Sequence, residues 1–582
     1  MINALVPWLA AIFSLLWAYP WARWLLSRSP APEGEDDLAL VALLTPALSL
    51  GGLAWLLMML AAVSPTLVAA GPLMALLLTL AGAGGYVLQR EHPRVPPPAS
   101  PRSSGRHPAA VAAVLAIAAV IVLTLFNAAY WPFGEDDTLS LYGPMAYRFA
   151  TTGRFGGAGV YDAYPQLVPL AMAYLHLISG GPQEYAGRFV IAVLAMSGIG
   201  AAYVLGRDLY GRTVGLAAAY LLATTPILPH WAASAYTDVP AGTHALLAMI
   251  FAWRLSRRPG MINAALAGLL AGLAAFTKNG ALLIPAALAG WVIFTHWLRR
   301  TGAGRAINGW ESLLLAGGIL LAAGPWYVHT SLAYGYLIPP TGWTDQANRT
   351  LAMLLGPALT PSHFLLGGAL GLAGVGWQAI RLWRARPALE PRAVLLLGFG
   401  VPFWLVWWLL FSYDLRFLLL IWGVFAVMGA DLLLAAAGWL THQRWLARTG
   451  WLTRVALPLA IILLALPTAR MAVDHKLEIL RDPFMSDDAR HAIQLGGRWP
   501  AIRWLRTQAP PGSTVLFAEY HFYYALMQAD LRLSLLGAAD RATVTAHDYW
   551  IAAPGQPEPP WAAEAGLREI LAAEGYRLYE VP

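Results

Sequence analysis

The sequence predicts an all-α membrane protein with many membrane-spanning helices and a small soluble α/β domain at its C-terminal end. Of the 582 residues, 58% are apolar and only 12% are charged, which no soluble core requires. Apolar runs long enough to cross a bilayer recur about fourteen times. Residues 485–582 instead have the composition of a soluble domain. These three observations together predict the fold class.

Each apolar run is interpreted as one membrane-spanning helix. A further apolar stretch, 165–178, follows Tyr164-Pro165 and is expected to form an interfacial or re-entrant helix. If it crossed the membrane, it would invert the orientation of every later loop. The predicted spans are 2–26, 38–62, 66–88, 109–130, 187–206, 213–229, 239–255, 261–277, 281–298, 311–330, 362–381, 393–412, 415–438 and 453–472.

The basic residues between the runs predict the orientation, because short cytoplasmic loops are enriched in Lys and Arg. All basic clusters fall on one face if the N-terminus is external and each run crosses once. The acid-rich loop at 135–137 and the C-terminal tail are then extracytoplasmic. The clusters are Arg23/Arg28, Arg90/Arg94/Arg102/Arg106, Arg207/Arg212, Arg254/Arg257/Arg258, Arg299/Arg300/Arg305, Arg381/Arg384/Arg386/Arg392 and Arg444/Arg448/Arg454.

The composition also predicts the domain organisation. Residues 1–88 form three accessory membrane helices, and the Pro- and Ser-rich segment 89–108 forms a cytoplasmic linker. Residues 109–475 form the main bundle with its external loops. Residues 485–582 form an external α/β domain, with a helix at 501–507 and a strand at 514–518.

Composition excludes some chemistry. The chain has no cysteine, so disulfides, thiolate catalysis and Cys-based metal sites are excluded. The net charge of +7 comes from short loops between spans and reports topology, so we expect membrane lipids and no nucleic acid as partners.

The most unusual polar feature is the acid run Glu135-Asp136-Asp137, placed where the span 109–130 ends. Other predicted external segments carry cations and aromatic residues. A carboxylate can take the proton from an acceptor hydroxyl, and a cation can stabilise the charge that grows on a departing phosphate. Transfer of a sugar from a lipid phosphate would require this set. The candidate residues are Asp136, Asp137, Asp238, Arg148, Lys278, Arg416, Tyr142, Tyr164, Trp326 and Tyr327.

The order of these motifs resembles that of GT-C membrane glycosyltransferases, the superfamily of protein O-mannosyltransferases and lipid A aminoarabinose transferases. The resemblance covers roughly 109–470 and leaves out the first three spans. The motifs are Glu135-Asp136-Asp137-Thr-Leu-Ser-Leu-Tyr142, Ala146-Tyr-Arg148, Tyr164-Pro165-Gln166-Leu167, Gly206-Arg207-Asp-Leu-Tyr-Gly211-Arg212, Tyr236-Thr237-Asp238-Val239-Pro240, Phe276-Thr277-Lys278, Gly324-Pro325-Trp326-Tyr327 and Tyr413-Asp-Leu-Arg416-Phe417.

The resemblance implies a GT-C type catalytic core over 109–475, with the base in the first external loop. That base is Asp137 or Asp136; the spacing to the downstream Leu and Tyr favours Asp137, and Glu135 is expected to be a bystander. Asp238 matches the second external acid of the family. Gln166 stands where the family often has a second proline, and the basic residue of some members is missing there. Donor phosphate contacts are therefore expected from Lys278 and Arg416.

Each assignment has a structural alternative. Asp238 could cap the following helix, and Lys278 could extend only to the membrane interface. Arg416 is a cation near a helix start, which opposes the helix dipole and makes a purely structural role less natural. Trp326 and Tyr327 could belong to the interfacial aromatic belt. His230 and His363 are expected to be ordinary interfacial residues.

The predicted function is transfer of a sugar, with inversion, from a polyprenyl-phosphate donor to an acceptor hydroxyl at the external face. The acceptor class (glycan, lipid or protein) stays open. No metal or other cofactor is expected for a monophosphate donor, whereas a diphosphate would favour a divalent ion. The alternatives are a transporter or flippase, which would keep ionisable residues near the bilayer midplane, and a non-catalytic scaffold.

Overall fold

The computed structural model describes most of the chain. The predicted linker lies outside it, except for its first three residues and its last. The described residues are 2–29, 38–68, 71–91, 108–156, 162–300, 307–339, 343–386, 389–441, 452–517, 519–535, 541–544, 546–555, 561 and 566–582.

The part before residue 475 is helical, as the apolar composition predicts. The N-terminal helices are α1 (Ile2–Leu16), α2 (Tyr19–Arg28), α3 (Leu38–Val63), α4 (Pro65–Val68) and α5 (Gly71–Glu91). The main bundle begins with α6 (Pro108–Tyr130), α7 (Gly143–Thr152), α8 (Leu167–Ser179), α9 (Glu184–Tyr210), α10 (Arg212–Ala223), α11 (Ile227–Ala233), α12 (Asp238–Arg257) and α13 (Met261–Thr277).

The bundle continues to residue 471, and short helical turns stand at Thr138–Tyr142, Asn279–Leu282, Trp343–Gln346, Leu415–Leu418 and Leu452–Ala456. Its remaining helices are α14 (Leu283–Arg300), α15 (Gly309–Tyr334), α16 (Leu351–Leu354), α17 (Gly356–Leu359), α18 (Pro361–Arg384), α19 (Pro391–Leu410), α20 (Leu419–Thr441) and α21 (Leu457–Met471).

Ten helices in the described residues are long and apolar enough to cross a membrane, and each corresponds to a predicted span. The other four predicted spans are helical as well. Met74–Leu88, Arg212–Ala223 and Met261–Thr277 are shorter apolar helices. The fourth, α12, has 20 residues but includes polar and charged ones such as His244 and Arg254. The predicted class, a multi-pass helical membrane protein, is confirmed.

The run predicted as one span at 213–229 is broken. α10 ends at Ala223, and α11 begins at Ile227 after Pro226. Proline lacks the backbone N–H that a continuous helix would need there, so the chain turns instead. This break brings the residues after α11 toward the acid-rich loop.

The stretch predicted as interfacial or re-entrant forms α8, which has 13 residues. At 1.5 Å per residue it is about 20 Å long, shorter than the hydrocarbon core of about 30 Å. Most of its side chains are buried against neighbouring helices, including Leu170 and Tyr174.

Glycines allow a close helix contact in the bundle, between α13 and α15. A Cβ atom on Gly268 would clash with the backbone oxygen of Leu315, and one on Gly318 would lie 2.6 Å from the backbone nitrogen of Leu269. Small residues of this kind let two membrane helices approach backbone to backbone. The contact fixes α13, whose C-terminal end carries Lys278.

A small α/β domain follows the last membrane helix and confirms the predicted α/β fold of the tail. α22 (Lys476–Arg481) joins α21 to this domain, whose own helices are α23 (Asp487–Leu495), α24 (Arg498–Gln508), α25 (Tyr523–Met527) and α26 (Arg541–Val544), with a short turn at Tyr520–Phe522. Its strands are β1 (Thr514–Phe517), β2 (Arg532–Leu535), β3 (Tyr549–Ala552), β4 (Arg568–Ala573) and β5 (Tyr576–Glu580).

The strands form one mixed sheet in the order β2-β1-β3-β5-β4. β1 pairs in parallel with β2 and β3, whereas β5 is antiparallel to β3 and β4. The predicted helix at 501–507 lies within α24, and the predicted strand at 514–518 corresponds to β1.

The C-terminal domain is docked on the bundle beside the acid-rich loop. His491 of α23 lies 3.4 Å from Glu184 of α9, and Arg490 donates a hydrogen bond of 3.1 Å to the backbone oxygen of Tyr130. The ring of Tyr524 packs on Phe133, with centroids 5.1 Å apart. These contacts place one end of the domain over the end of α6.

Candidate active site

The acid-rich loop between α6 and α7 is held by its backbone. The guanidinium of Arg188, which is buried, donates a hydrogen bond of 3.0 Å to the backbone oxygen of Trp131. The carboxylate of Glu184 accepts a 3.0 Å bond from the backbone N–H of Phe133. The backbone N–H of Asp137 donates a 2.8 Å bond to the hydroxyl of Tyr236. The loop is therefore fixed, and its three acids point to defined partners.

The three consecutive acids contact three different parts of the molecule. A carboxylate oxygen of Glu135 lies 3.5 Å from a ring nitrogen of His230 on α11. Asp136 contacts His521 of the C-terminal domain. Asp137 accepts a hydrogen bond of 3.0 Å from Arg416, just before α20. The loop thus joins two bundle segments and the soluble domain.

His230 does more than the interfacial role expected for it. Its second ring nitrogen lies 3.7 Å from Asp474, which also accepts a 2.9 Å hydrogen bond from Asn127 of α6. Burial would lower the pKa of His230, but the Asp474 hydrogen bond and the Glu135 charge raise it overall. A protonated His230 would hold the Glu135 carboxylate on the α11 side of the loop; the bystander role of Glu135 stays a prediction.

Arg416 lies at the centre of an aromatic cage. Its guanidinium carbon is 4.9 Å from the ring centres of Trp231 and Tyr236 and 5.0 Å from that of Phe417. Its Nε atom also lies 2.9 Å from a carboxylate oxygen of Asp414. Rings around a guanidinium restrict its orientation and favour the charged form. Arg416 is thus a positioned cation at the loop.

Lys278 follows the last residue of α13, and its ammonium pairs with Asp238 at the start of α12. The Asp238 side chain is 1% exposed, and the N-cap position of α12 is occupied by Thr237, so the N-cap alternative does not describe Asp238. The ammonium also lies 4.3 Å from the ring centre of Phe417. Lys278 and Arg416 therefore share one aromatic neighbour.

The environment moves the pKa values of the two candidate bases in opposite directions. Burial raises the pKa of Asp137, although Arg416 and Lys278 oppose the shift. The hydrogen bond from His521 lowers the pKa of Asp136. Burial also lowers the pKa of Lys278. Carboxylates whose environments separate their pKa values in this way commonly have different chemical roles.

These residues line a cavity of about 800 Å³ between the bundle and the C-terminal domain. One part of its lining is apolar and aromatic, and another part is polar and mostly acidic. The apolar part includes Ile338, Phe403, Trp407, Phe411, Phe417 and Leu420. The polar part includes Glu135, Asp136, Asp137, Ser140, Asp414, Glu519 and His521, with Lys278 and Arg416.

The structure brings together most of the predicted site residues. Six of them line the cavity, and Asp238 stands behind Lys278. The six are Asp136, Asp137, Tyr142, Tyr164, Lys278 and Arg416.

Besides Asp238, three predicted residues lie outside the cavity lining. Arg148 on α7 is close enough to Tyr523 of the C-terminal domain to oppose the rise in its pKa that burial causes. Trp326 is fully buried against Phe155. Tyr327 donates hydrogen bonds to the backbone of Ala275 and to Asn279, which follows Lys278. Tyr327 therefore supports the loop of Lys278.

Several cavity residues escaped the sequence interpretation. Asp414 stood inside a recognised motif, two residues before Arg416, and its charge was the available signal. Trp231 directly follows His230, for which the sequence predicts only an ordinary interfacial role. Glu519 and His521 belong to the soluble domain, and no local pattern separates them from other surface residues. Only the docking of the domain reveals them.

The described residues contain no group of three His, Asp or Glu side chains arranged to hold a metal ion. The expectation that no metal is needed stays a prediction.

The family model described as dolichyl-phosphate-mannose-protein mannosyltransferase matches residues 164–326. No curated protein sequence matches the chain. The family-model match covers less than half of the chain, and together with the ArnT-like fold it supports the predicted resemblance to GT-C membrane glycosyltransferases.

Among solved structures, the fold is similar to that of ArnT from Cupriavidus metallidurans. The ArnT structure bound to undecaprenyl phosphate has 14% identity and a TM-score of 0.55, with 80% of this chain and 97% of that chain covered. The apo structure of ArnT has 13% identity, a TM-score of 0.54 and the same coverage, 80% and 97%. At this identity the likeness concerns the fold.

Proposed function

We propose that the protein is an inverting glycosyltransferase that moves a sugar from a polyprenyl-phosphate donor to an acceptor hydroxyl at the external face of the membrane. The observation that carries this proposal is the pairing of Asp137 with Arg416 in a cavity that also has an aromatic, apolar lining. A base, a phosphate-binding cation and a surface for an isoprenoid chain are then within one cavity.

The donor would lie with its isoprenoid chain on the apolar lining from α19 and α20 and its phosphate at Arg416 and Lys278. Similarity of fold to ArnT, whose structure holds undecaprenyl phosphate, supports this class of donor. Two cations that share Phe417 as a neighbour can neutralise a monophosphate without a metal ion. A diphosphate would add charge and favour a divalent ion.

Asp137 is the proposed base. Its carboxylate takes the proton of the acceptor hydroxyl while the acceptor oxygen bonds to the anomeric carbon. The bond from that carbon to the phosphate oxygen breaks on the opposite side, and polyprenyl phosphate leaves with the bonding electrons. Its charge is stabilised by Arg416 and Lys278, so no general acid is needed. The configuration of the anomeric carbon inverts.

The ion pair between Asp137 and Arg416 suits a resting state. A donor phosphate would compete for the guanidinium, and Asp137 would lose its neutralising partner as the donor binds. Its pKa, already raised by burial, would then rise further. Asp238 stays paired with Lys278 during this exchange, and its charge opposes the burial that lowers the pKa of Lys278. The base would thus become effective when the donor is present.

Asp136 is the alternative base, and its surroundings fit a different role. Its side chain is 78% exposed and bound by His521 of the C-terminal domain. A carboxylate with a lowered pKa is the weaker base. We infer that Asp136, Glu519 and His521 contact the acceptor, which would enter between the acid loop and the soluble domain.

Purified protein in lipid nanodiscs tests the proposal. It would be incubated with a panel of polyprenyl-monophosphate sugars, and release of polyprenyl phosphate would be measured with and without EDTA. We expect release with one donor, unchanged by EDTA and lost in Asp137→Ala. Lipid-linked sugars that accumulate in a deletion strain, measured by mass spectrometry, would select the donor for the panel.

The panel also separates the alternatives. If the donor that accumulates in the deletion strain is never cleaved by the wild type, but crosses the membrane of liposomes that contain it, the protein is a transporter or flippase. Loss of the activity with EDTA and its recovery with Mg²⁺ or Mn²⁺ would show that the metal-free mechanism is wrong.

A further inference from the structure

The segment that joins the last membrane helix to the C-terminal domain exposes large apolar side chains. In residues 476–484, hereafter the juxtamembrane segment, Leu477 is 62% exposed, Leu480 is 79% exposed and Phe484 is 93% exposed. Leu477 and Leu480 are three positions apart on α22 and share one side of that helix. Phe484 lies in the turn that follows the end of α22. Soluble surfaces rarely group such residues within eight positions without a partner.

This apolar surface continues that of the membrane-spanning part. α21 exposes Leu459, Ile462 and Leu466 along a helix that is apolar enough to cross the membrane, and Met471 at its end is also exposed. The exposed face of α21 therefore leads directly into the juxtamembrane segment. The surroundings that cover the exposed face of α21 are therefore expected to cover Leu477 and Leu480 as well.

A second contact ties the segment to the end of another span. The hydroxyl of Tyr130, the last residue of α6, donates a hydrogen bond of 3.2 Å to the backbone oxygen of Pro483. The ring of Tyr130 stacks on Phe126 at a centroid distance of 5.3 Å, and Phe126 is exposed. Phe484 thus follows a residue fixed at the end of α6, beside an exposed apolar side chain.

The segment has two basic and two acidic side chains: Lys476, Arg481 and Asp482 are exposed, and Glu478 is half-buried. Arg470, just before the segment, is also exposed, and its backbone oxygen accepts a hydrogen bond of 3.2 Å from the ammonium of Lys476. Apolar side chains next to exposed cations are typical of helices that lie in the headgroup region of a bilayer.

We propose that the juxtamembrane segment lies in the headgroup region of the membrane, with Leu477, Leu480 and Phe484 inserted and Lys476 and Arg481 beside anionic headgroups. The partner is the lipid surface itself. Through this contact the membrane fixes the start of the C-terminal domain, and therefore the position of the domain over the cavity.

The natural absence of cysteine makes the test direct, because a single introduced cysteine can carry the only label. A nitroxide would be attached to Leu480→Cys and Phe484→Cys in nanodiscs of phosphatidylcholine, with and without phosphatidylglycerol. Collision rates with oxygen, which concentrates in lipid, and with a water-soluble nickel chelate would be compared. Leu463→Cys on α21 and Gln508→Cys on α24 are the matched lipid and water controls.

The proposal expects labels at 480 and 484 to favour oxygen, between the values at 463 and 508, with a further shift toward oxygen when phosphatidylglycerol is present. Values at 484 equal to those at 508 would overturn it. Spin–spin broadening at 484, which indicates a second copy of the chain as the partner, would overturn it as well. Arg481→Glu should abolish the effect of phosphatidylglycerol; an unchanged effect would disprove the charge contribution.

Discussion

α12 carries a buried ion pair near each end, and the two pairs differ in what surrounds them. At its start, Asp238 pairs with Lys278, which lines the cavity. Near its end, Arg254 binds Asp208 at 2.8 Å, and Arg207 binds the same acid at 2.8 Å. In a 20-residue helix these sites are about 25 Å apart.

The second pair is sealed. The side chains of Asp208 and Arg254 are 5% and 4% exposed, and neither is among the residues of the cavity. The indole of Trp253 donates a hydrogen bond of 3.2 Å to the backbone oxygen of Asp208. A buried charge is therefore not a sign of chemistry by itself. What distinguishes the first pair is that a substrate can reach it.

The largest expected effect is that of Asp137→Ala in the cavity, beside the ion pair at the start of α12. Removal of a general base should lower the rate of sugar transfer by about 10²–10⁴-fold, with little change in thermal stability because Asp137 faces a cavity. Initial rates in nanodiscs and a melting curve would measure both. Asp136→Ala is the matched control. If it lost as much activity as Asp137→Ala, the choice between the two acids would be wrong.

Arg416→Lys should have the next largest effect on activity. Lysine keeps the charge but cannot fill the cage of Trp231, Tyr236 and Phe417 as a planar guanidinium does. We expect a loss of about 10²-fold in kcat/KM for the donor. Arg254→Lys is the control at the sealed end and should leave the rate per folded molecule unchanged. A full rate in Arg416→Lys would contradict the proposed phosphate contact.

Asp208→Asn tests the sealed end. It removes the acid that Arg207 and Arg254 both bind, so the free energy of unfolding should fall by about 3–5 kcal/mol. Chemical denaturation in detergent micelles would measure it. The remaining folded protein should transfer sugar at the normal rate. If Asp208→Asn were stable but inactive, the sealed ion pair would serve activity and not stability. The contrast drawn between the two ends of α12 would then be wrong.

The pH dependence of the rate should report the pKa of the general base in the cavity. A general base works only when deprotonated, so activity falls as the pH drops through its pKa. Because burial raises the pKa of Asp137, the acidic limb should lie above 3.8, the ordinary value for aspartate. If Asp136 were the base, the limb would lie below that value. Rate profiles of the wild type and of Asp136→Ala distinguish the two.

The smallest expected effect is that of His521→Ala in the C-terminal domain. Loss of one hydrogen bond to Asp136 should weaken acceptor binding by about fivefold and leave the KM of the donor unchanged. The measurement is transfer at varied acceptor concentration, with the organism's own envelope fraction as acceptor. His547→Ala in the same domain is the control. A change in donor KM alone would place His521 on the donor side.

The fold was predictable because its main signal is local. Apolar runs long enough to span a bilayer need no partner to be recognised, and in the described residues each predicted span is helical, with one of them, 213–229, broken into two helices. The break between α10 and α11 was missed because Pro226 lies inside an otherwise apolar run, and a proline in a membrane span can equally kink it. The mixed order of the C-terminal sheet depends on long-range pairing, which short patterns do not encode.

The site was predictable only in part. Asp137, Lys278 and Arg416 come from different segments of the sequence, and the order of motifs suggested that they would meet. Their pairing was not visible, nor was the contact between His521 and Asp136, which are 385 residues apart. Trp326 was included by motif alone, and its neighbours bury it outside the cavity lining.

The backbone contact between α13 and α15 links substitutions inside the bundle to the position of Lys278 in the cavity. Because Gly268 and Gly318 leave no room for a side chain, even one methyl group there would separate the two helices. Lys278 follows the end of α13, and Tyr327 of α15 donates a hydrogen bond to the next residue, Asn279. Separating the two helices would therefore displace the ammonium of Lys278. We therefore expect substitutions at these glycines to be poorly tolerated, although they lie far from any substrate. They would lower activity by displacing the ammonium of Lys278.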